Sequence, residues 1–144
     1  MKMKFTPEAE AVLLTADTEA KKWDCVVIES EHLFAALLRE EKIKKLVTAF
    51  RVSMRTLLVK NNILLARIKI ALVPKFTFLK ALEEAERISK LNDEECISIE
   101  NLFLALLDQE GSDVAKLLSE CRIEKYRVVE FFNKGCLVAG GDAS

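Results

Sequence analysis

Two stretches of this chain repeat one another. Residues 29–42 read ESEHLFAALLREEK, and residues 98–111 read SIENLFLALLDQEG, 69 positions further on. Leu33, Phe34, Ala36 and the Leu37-Leu38 pair fall on Leu102, Phe103, Ala105 and Leu106-Leu107, and Glu31 falls on Glu100. A chain that carries the same charged-then-apolar segment twice is expected to fold as two like halves. Upstream, Phe5-Thr6 matches Phe76-Thr77 at an offset of 71, and downstream Ile43, Leu46, Val47 and Val52 match Val114, Leu117, Leu118 and Ile123, again at 71. A unit of about 70 residues is too long for the common solenoid repeats. It reads as a duplicated helical subdomain, with repeat 1 over about 1–73 and repeat 2 over about 74–134.

Periodicity identifies the elements. Ala9, Val12, Leu13, Ala16 and Ala20 recur at three- and four-residue steps, as do Leu79, Leu82, Ala85, Ile88 and Leu91, which gives one amphipathic helix over Pro7 to Lys22 and another over Phe78 to Leu91. Thr6 suits the N-cap of the first, with Pro7 at the first helical position, and Thr77 is expected to cap the second likewise. Second helices over about Glu31 to Glu40 and Glu100 to Asp108 carry Leu, Phe and Ala on nearly every face, as buried helices do. Third helices follow at about Ile43 to Phe50 and Asp113 to Glu120, and Ser53 and Glu124 each open a fourth. Residues 61–74 either extend the fourth helix or run as a strand-like connector up to the break at Pro74.

The chain is therefore read as all-α, about eight helices in two pseudo-twofold four-helix repeats forming one domain over 1–144, with a flexible tail at 135–144. Composition agrees: 144 residues, 51% hydrophobic, 31% charged, with four Gly and two Pro, supply a core and little turn material.

Bulk charge and motifs exclude several function classes. A net charge of −1 offers no field for nucleic acid or an anionic membrane, although residues 1–74 sum to +4 and residues 75–144 to −5. The most apolar run, Ile63 to Val73, contains Arg67 and Lys69 and falls short of the ~20 residues a bilayer span needs. Cys25, Cys96, Cys121 and Cys136 form no CxxC pair, so no zinc spacing is present. With no signal-peptide core after Met1, free thiols in a reducing cytoplasm are expected. There is no GxxxxGK[ST], GxGxxG, GxSxG or HExxH. A thiol nucleophile would have to recruit His32, the one imidazole, whose simpler role is local packing or hydrogen bonding in a first helical turn.

Glu31 and Glu100 admit two readings. A carboxylate in the first turn of a helix is favoured by the macrodipole by ~0.3–1 kcal/mol, which alone accounts for both. Alternatively each lies near Thr6 or Thr77, where first and second helices begin, and holds a ligand bearing both a cation and an anion.

The sequence F-T-P, then E-H-L-F-A-A-L-L, then a second F-T and E-N-L-F-L-A-L-L, resembles the duplicated N-terminal domain of Clp-family AAA+ unfoldases over essentially the whole chain. The ending Arg127-Val128-Val129-Glu130-Phe131-Phe132-Asn133-Lys134-Gly135 is similar to the ClpA type in particular. The resemblance implies a non-enzymatic module that gathers protein clients and adaptors for a hexameric ATPase ring, which threads them into a ClpP-type peptidase. A ClpS-type adaptor is the implied partner for a ClpA-like domain. ATP and Mg belong to ATPase modules elsewhere in the parent chain, and the domain itself takes no cofactor. By similarity to ClpC-type domains, Thr6 with Glu31 and Thr77 with Glu100 form two pockets for phosphorylated arginine. Repeat 2 departs from repeat 1 at Asn101, opposite His32, and at Phe78, opposite Pro7. Alternatives are a free-standing Clp-repeat accessory protein, a direct phosphoarginine receptor, and, from a different class, a small cysteine enzyme.

Overall fold

The computed structural model describes residues 2–71 and 73–135; Cys136 and all of the expected tail beyond Gly135 lie outside them. The described residues form eight α-helices: α1 Pro7–Lys22, α2 Ser30–Leu37, α3 Glu41–Ala49, α4 Met54–Ile70, α5 Thr77–Leu91, α6 Ile99–Asp108, α7 Asp113–Glu120 and α8 Lys125–Lys134. The all-α reading holds. The one extended pairing is a single parallel bridge between Phe5 and Ile97.

The doubled segment is the centre of the molecule. Every residue of α2 is buried, and so are seven residues of α6. Leu33, Phe34 and Leu37 meet Leu102, Phe103 and Leu106 in one core, each with no exposed surface. Burying a side chain such as Phe34 contributes about 1.5–3 kcal/mol. Outside this pair, α1 lies on α2 and α5 on α6. Ala9, Ala16 and Ala20 on α1, and Ala81 and Ala85 on α5, keep those contacts close because a methyl group leaves the backbones free to approach. α2 stops at Leu37, three residues earlier than expected, where Leu38 and Arg39 turn the chain into α3.

The register of the repeat differs from the one the Phe-Thr pairs suggest. Buried Val12, Ala16, Glu19 and Ala20 on α1 correspond to buried Ala81, Ala85, Ile88 and Ser89 on α5, which is an offset of 69, not 71. The turns that follow agree: Asp24 and Asp93 both adopt a left-handed φ of 56°. The amides of Cys25 and Glu94 reach back to Ala20 and Ser89 at 2.8 Å in each case. The offset becomes 71 only after α6, and Arg51 and Arg122, left-handed at 59° and 60°, keep it. Thr77 is therefore not the structural counterpart of Thr6. It is the first residue of α5, follows a left-handed Phe76 and does not cap its own helix. The shift also turns Leu79 and Leu91, two of the expected core residues of α5, out to solvent.

Two helices close the halves. α4 continues to Ile70, so the helical alternative for 61–74 is the one adopted, with Ala71 extended after it. Ser53 caps it by accepting the Thr56 amide at 3.2 Å, and Asn61 ties it to the core by donating to the Glu31 carbonyl at 3.1 Å. α8 buries Val128 and Phe131, places Phe132 edge-on to Phe103 at 6.2 Å, and sets Arg127 over the Phe50 ring at 4.9 Å. It ends at Gly135, whose φ of 74° allows its amide to return to the Phe131 carbonyl at 2.7 Å. Among the described residues no helix is long and apolar enough to cross a membrane.

Because Phe34 is fully enclosed between the halves, Phe34→Ala should cost about 3–5 kcal/mol in equilibrium urea unfolding. A loss below about 1 kcal/mol would show that α2 is not the shared core.

Candidate functional site

The starts of α2 and α5 are bound to each other. Glu29, extended at the N-cap of α2, donates its amide to Nδ1 of His32 at 2.9 Å. Its carboxylate crosses to the other half of the molecule. One oxygen accepts from the Lys75 amide at 2.7 Å; the other accepts from the Thr77 amide at 2.8 Å and from the Thr77 hydroxyl at 3.1 Å. The Thr77 hydroxyl oxygen in turn accepts from the Ser30 amide at 2.8 Å. Thus two helix N-termini, each with amides lacking intrahelical partners, share one carboxylate and one hydroxyl. Phe76 lies between the two amides that Glu29 binds, and its φ of 59° is a conformation costing a non-glycine residue roughly 1–2 kcal/mol. The Gln109 side chain adds a bond to the Thr77 carbonyl at 2.9 Å.

His32 is structural. With Nδ1 accepting, the neutral ring carries its proton on Nε2, which is buried and has no hydrogen-bond partner among the described residues. Burial holds the imidazole below its usual pKa, against weaker upward pulls from Glu29 and Glu19. Asn101 does the same work in the other half: its Oδ1 accepts the Ser98 amide at 2.8 Å, and its own amide donates to the Ser98 hydroxyl at 3.2 Å. The His-to-Asn difference between repeats thus preserves the cap.

Beside this junction lies Glu31, only 4% exposed. One of its oxygens accepts from the Ser30 hydroxyl at 3.2 Å. Burial raises its carboxyl pKa; the Glu31 amide and the Ser30 hydroxyl pull it down, while Asp113 and Glu29 add smaller upward pushes. Two hollows meet at this residue. One of about 440 Å³ is lined by Ser30, Glu31, Lys75, Thr77, Lys80 and Asp113 among others. The second, of about 250 Å³, has apolar walls from Val27, Leu64, Ile68 and Val73, with Arg67 and Lys69 beside them, and shares Glu31, Lys75 and Asp113 with the first. A buried carboxyl of this kind gains from a cationic guest; Lys75 and Lys80 stand in the first hollow with Glu84, Asp108, Glu110 and Asp113, and Lys75 lies 3.8 Å from Asp113.

Of the four residues singled out in the sequence, Glu31 and Thr77 are brought together, and Thr6 and Glu100 lie at the corresponding ends of α1 and α6 without a shared hollow among the described residues. Glu31 shares its hollow with Thr77, not Thr6. Thr6 caps α1 through the Ala9 amide at 3.1 Å, and its own amide donates to Ile97 at 2.9 Å, just before the helix that carries Glu100. Glu100 is engaged by Lys42 at 2.6 Å and lines a groove with Arg87, Asn101 and Lys125. The physical reason is that each first helix begins against the second helix of the opposite half. Glu29 and Lys75 were not foreseen. Their sequence signal is slight, because Glu29 aligns with the ordinary capping residue Ser98 and its partners lie 46 and 48 residues away.

Burial raises the thiol pKa of both Cys25 and Cys121, the reverse of an activated nucleophile. Among the described residues no group of His, Cys, Asp and Glu is placed to hold a metal ion.

The raised pKa of Glu31 has a defined consequence. The folded protein holds the proton more tightly than the unfolded chain, so the ionised carboxylate costs stability as pH rises from about 4.5 through the folded value. Glu31→Gln should therefore melt above the parent at pH 7 and lose that advantage below about pH 4.5. An advantage that does not change with pH would contradict a buried, proton-holding Glu31.

Known proteins bear on the same residues. Residues 4–121 match the family model for the Clp repeat (R) N-terminal domain. The solved Hsp104 N-terminal domain from Candida albicans superimposes with a TM-score of 0.75 at 20% identity, covering 89% of this chain and 91% of that one. A structure from preliminary structural investigations of a malarial protein secretion system also gives 0.75, at 14% identity over 92% and 94%. At those identities the likeness is one of fold. No curated protein matches. The matched span runs from just before α1 to the end of α7 and contains both copies of the doubled segment, and this chain belongs to the Clp repeat N-terminal domain family.

Proposed function

We propose that this chain is the client- and adaptor-docking domain of a Clp-family unfoldase of the ClpA kind, recruiting proteins for unfolding and degradation. The family match over residues 4–121 supports the Clp-family part of this reading. The binding surface is the junction where α2 and α5 begin, because a clamped backbone beside two hollows offers a rigid, polar mouth without catalytic machinery. The domain performs no chemistry itself. Its partners are protein clients, a ClpS-type adaptor, and a hexameric ring that feeds a ClpP-type peptidase, with ATP and Mg confined to the ring. The unit of function is the single domain with its two repeats divided near Pro74.

A second reading is favoured by one observation, the buried Glu31 beside Thr77, Lys75 and Lys80. A phosphorylated arginine would set its guanidinium against Glu31 and its phosphate toward the two lysines and the start of α5. The mouth is then Glu31 with Thr77.

Calorimetric titration with a ClpS-type adaptor should give saturable heat. No binding at high micromolar adaptor would remove the adaptor claim. Separately, Glu31→Ala should weaken free phosphoarginine by about tenfold or more while unfolding stays cooperative, since a buried charge-assisted contact is lost. Unchanged affinity would exclude the hollow as the receptor.

A further inference from the structure

The outward face of α4 carries an organised apolar seam that nothing in the described structure covers. Only Leu57, Asn61 and Leu65 of this helix are buried, a narrow line along one side. At about 100° per residue, Val59, Ile63, Ala66 and Ile70 fall on the opposite side, at steps of four, three and four. Val59 is 53% exposed, Ile63 51% and Ile70 77%. This is the spacing of a and d positions in a two-helix seam. Cations flank it on both edges, Arg55 and Lys69 on one and Lys60 and Arg67 on the other, and the helix contains no carboxylate. Among the described residues, Arg55, Lys60 and Arg67 make no ion pair, and Lys69 meets only the exposed Asp24 at 3.7 Å.

We propose that α4 is a docking helix for an acidic amphipathic helix of a partner protein, one with apolar a and d positions flanked by Asp or Glu. Charge decides the occupant. A second copy of α4 laid on this seam would set cation against cation on both edges, which opposes self-pairing. A membrane surface is disfavoured by shape, because interfacial helices bury a broad apolar face with Trp, Phe and Leu, and this stripe is one seam wide. An acidic helix instead places four potential ion pairs along an apolar contact, the helix-in-groove arrangement. The seam adjoins the mouth at Glu31, because Arg67 and Lys69 also line the second hollow, but its apolar residues Val59, Ile63 and Ile70 line neither hollow.

The test uses a fluorescent three-heptad peptide with Leu at a and d and Glu at e and g, which its own charge keeps from pairing with itself. Fluorescence anisotropy against the 144-residue chain should show saturable binding that weakens with added salt. Ile63→Asp should weaken it by about tenfold or more. The double variant Arg55→Glu, Lys60→Glu, confined to exposed charges that line neither hollow at Glu31, should shift preference to the peptide with Lys in place of Glu. Both variants should keep the parent's cooperative melting. The proposal is overturned if the Lys peptide binds the parent as tightly as the Glu peptide, or if Ile63→Asp and the charge reversal both leave binding unchanged. It is equally overturned if phosphatidylglycerol vesicles bind and the Glu peptide does not, or if the chain self-associates through Ile63 and excludes the peptide.

Discussion

The carboxylate of Glu29 does for this molecule what a strand pairing does for a sheet: it joins backbone to backbone across a long stretch of chain. It accepts two amides and a hydroxyl from residues 75–77 while its own amide is taken by His32. Hydrogen bonds to a charged group contribute about 1.5–3 kcal/mol each where buried, enough to hold Phe76 in its left-handed conformation. From that point the direction of α5 is set, and with it the hollows around Glu31. Removing the carboxylate would leave the start of α5 with unmatched amides in a half-buried junction.

The two halves share a plan without being identical. The 69-residue register covers α1 with α5 and α2 with α6, and the doubled Phe-Thr pairs stand outside it. One Thr caps its helix, and the other serves as a bridge between helices. That asymmetry gives the molecule one clamped junction at α2 and α5 and a groove at α6, where Lys42 is paired with Glu100. The fourth helices diverge further, with 17 residues in α4 against 10 in α8, and among the described residues the outer face of α4 is uncovered.

Most of the architecture was legible because it follows from local periodicity. α1 and α7 have the ends expected from their caps and apolar spacing, and the twin Leu-Phe-Ala-Leu segments had to be central because no face of them is polar. The register was misread where two short identical dipeptides outweighed the spacing of small residues on α5. The site was legible only in part. Glu31 and Thr77 were singled out, but their pairing depends on which half faces which, a tertiary fact that no local pattern encodes. Glu29 was invisible for the same reason, since its bonds join residues nearly fifty positions apart.

Hydrogen exchange at the amides of Lys75 and Thr77 tests the central claim most directly. Neither amide has a helical partner, so only the Glu29 carboxylate can protect them. The account predicts exchange as slow as in the interior of α5, accelerating by about tenfold or more in Glu29→Ala while the interiors of α2 and α6 stay protected. Exchange of both amides at the rate of an unstructured peptide in the unaltered protein would contradict it.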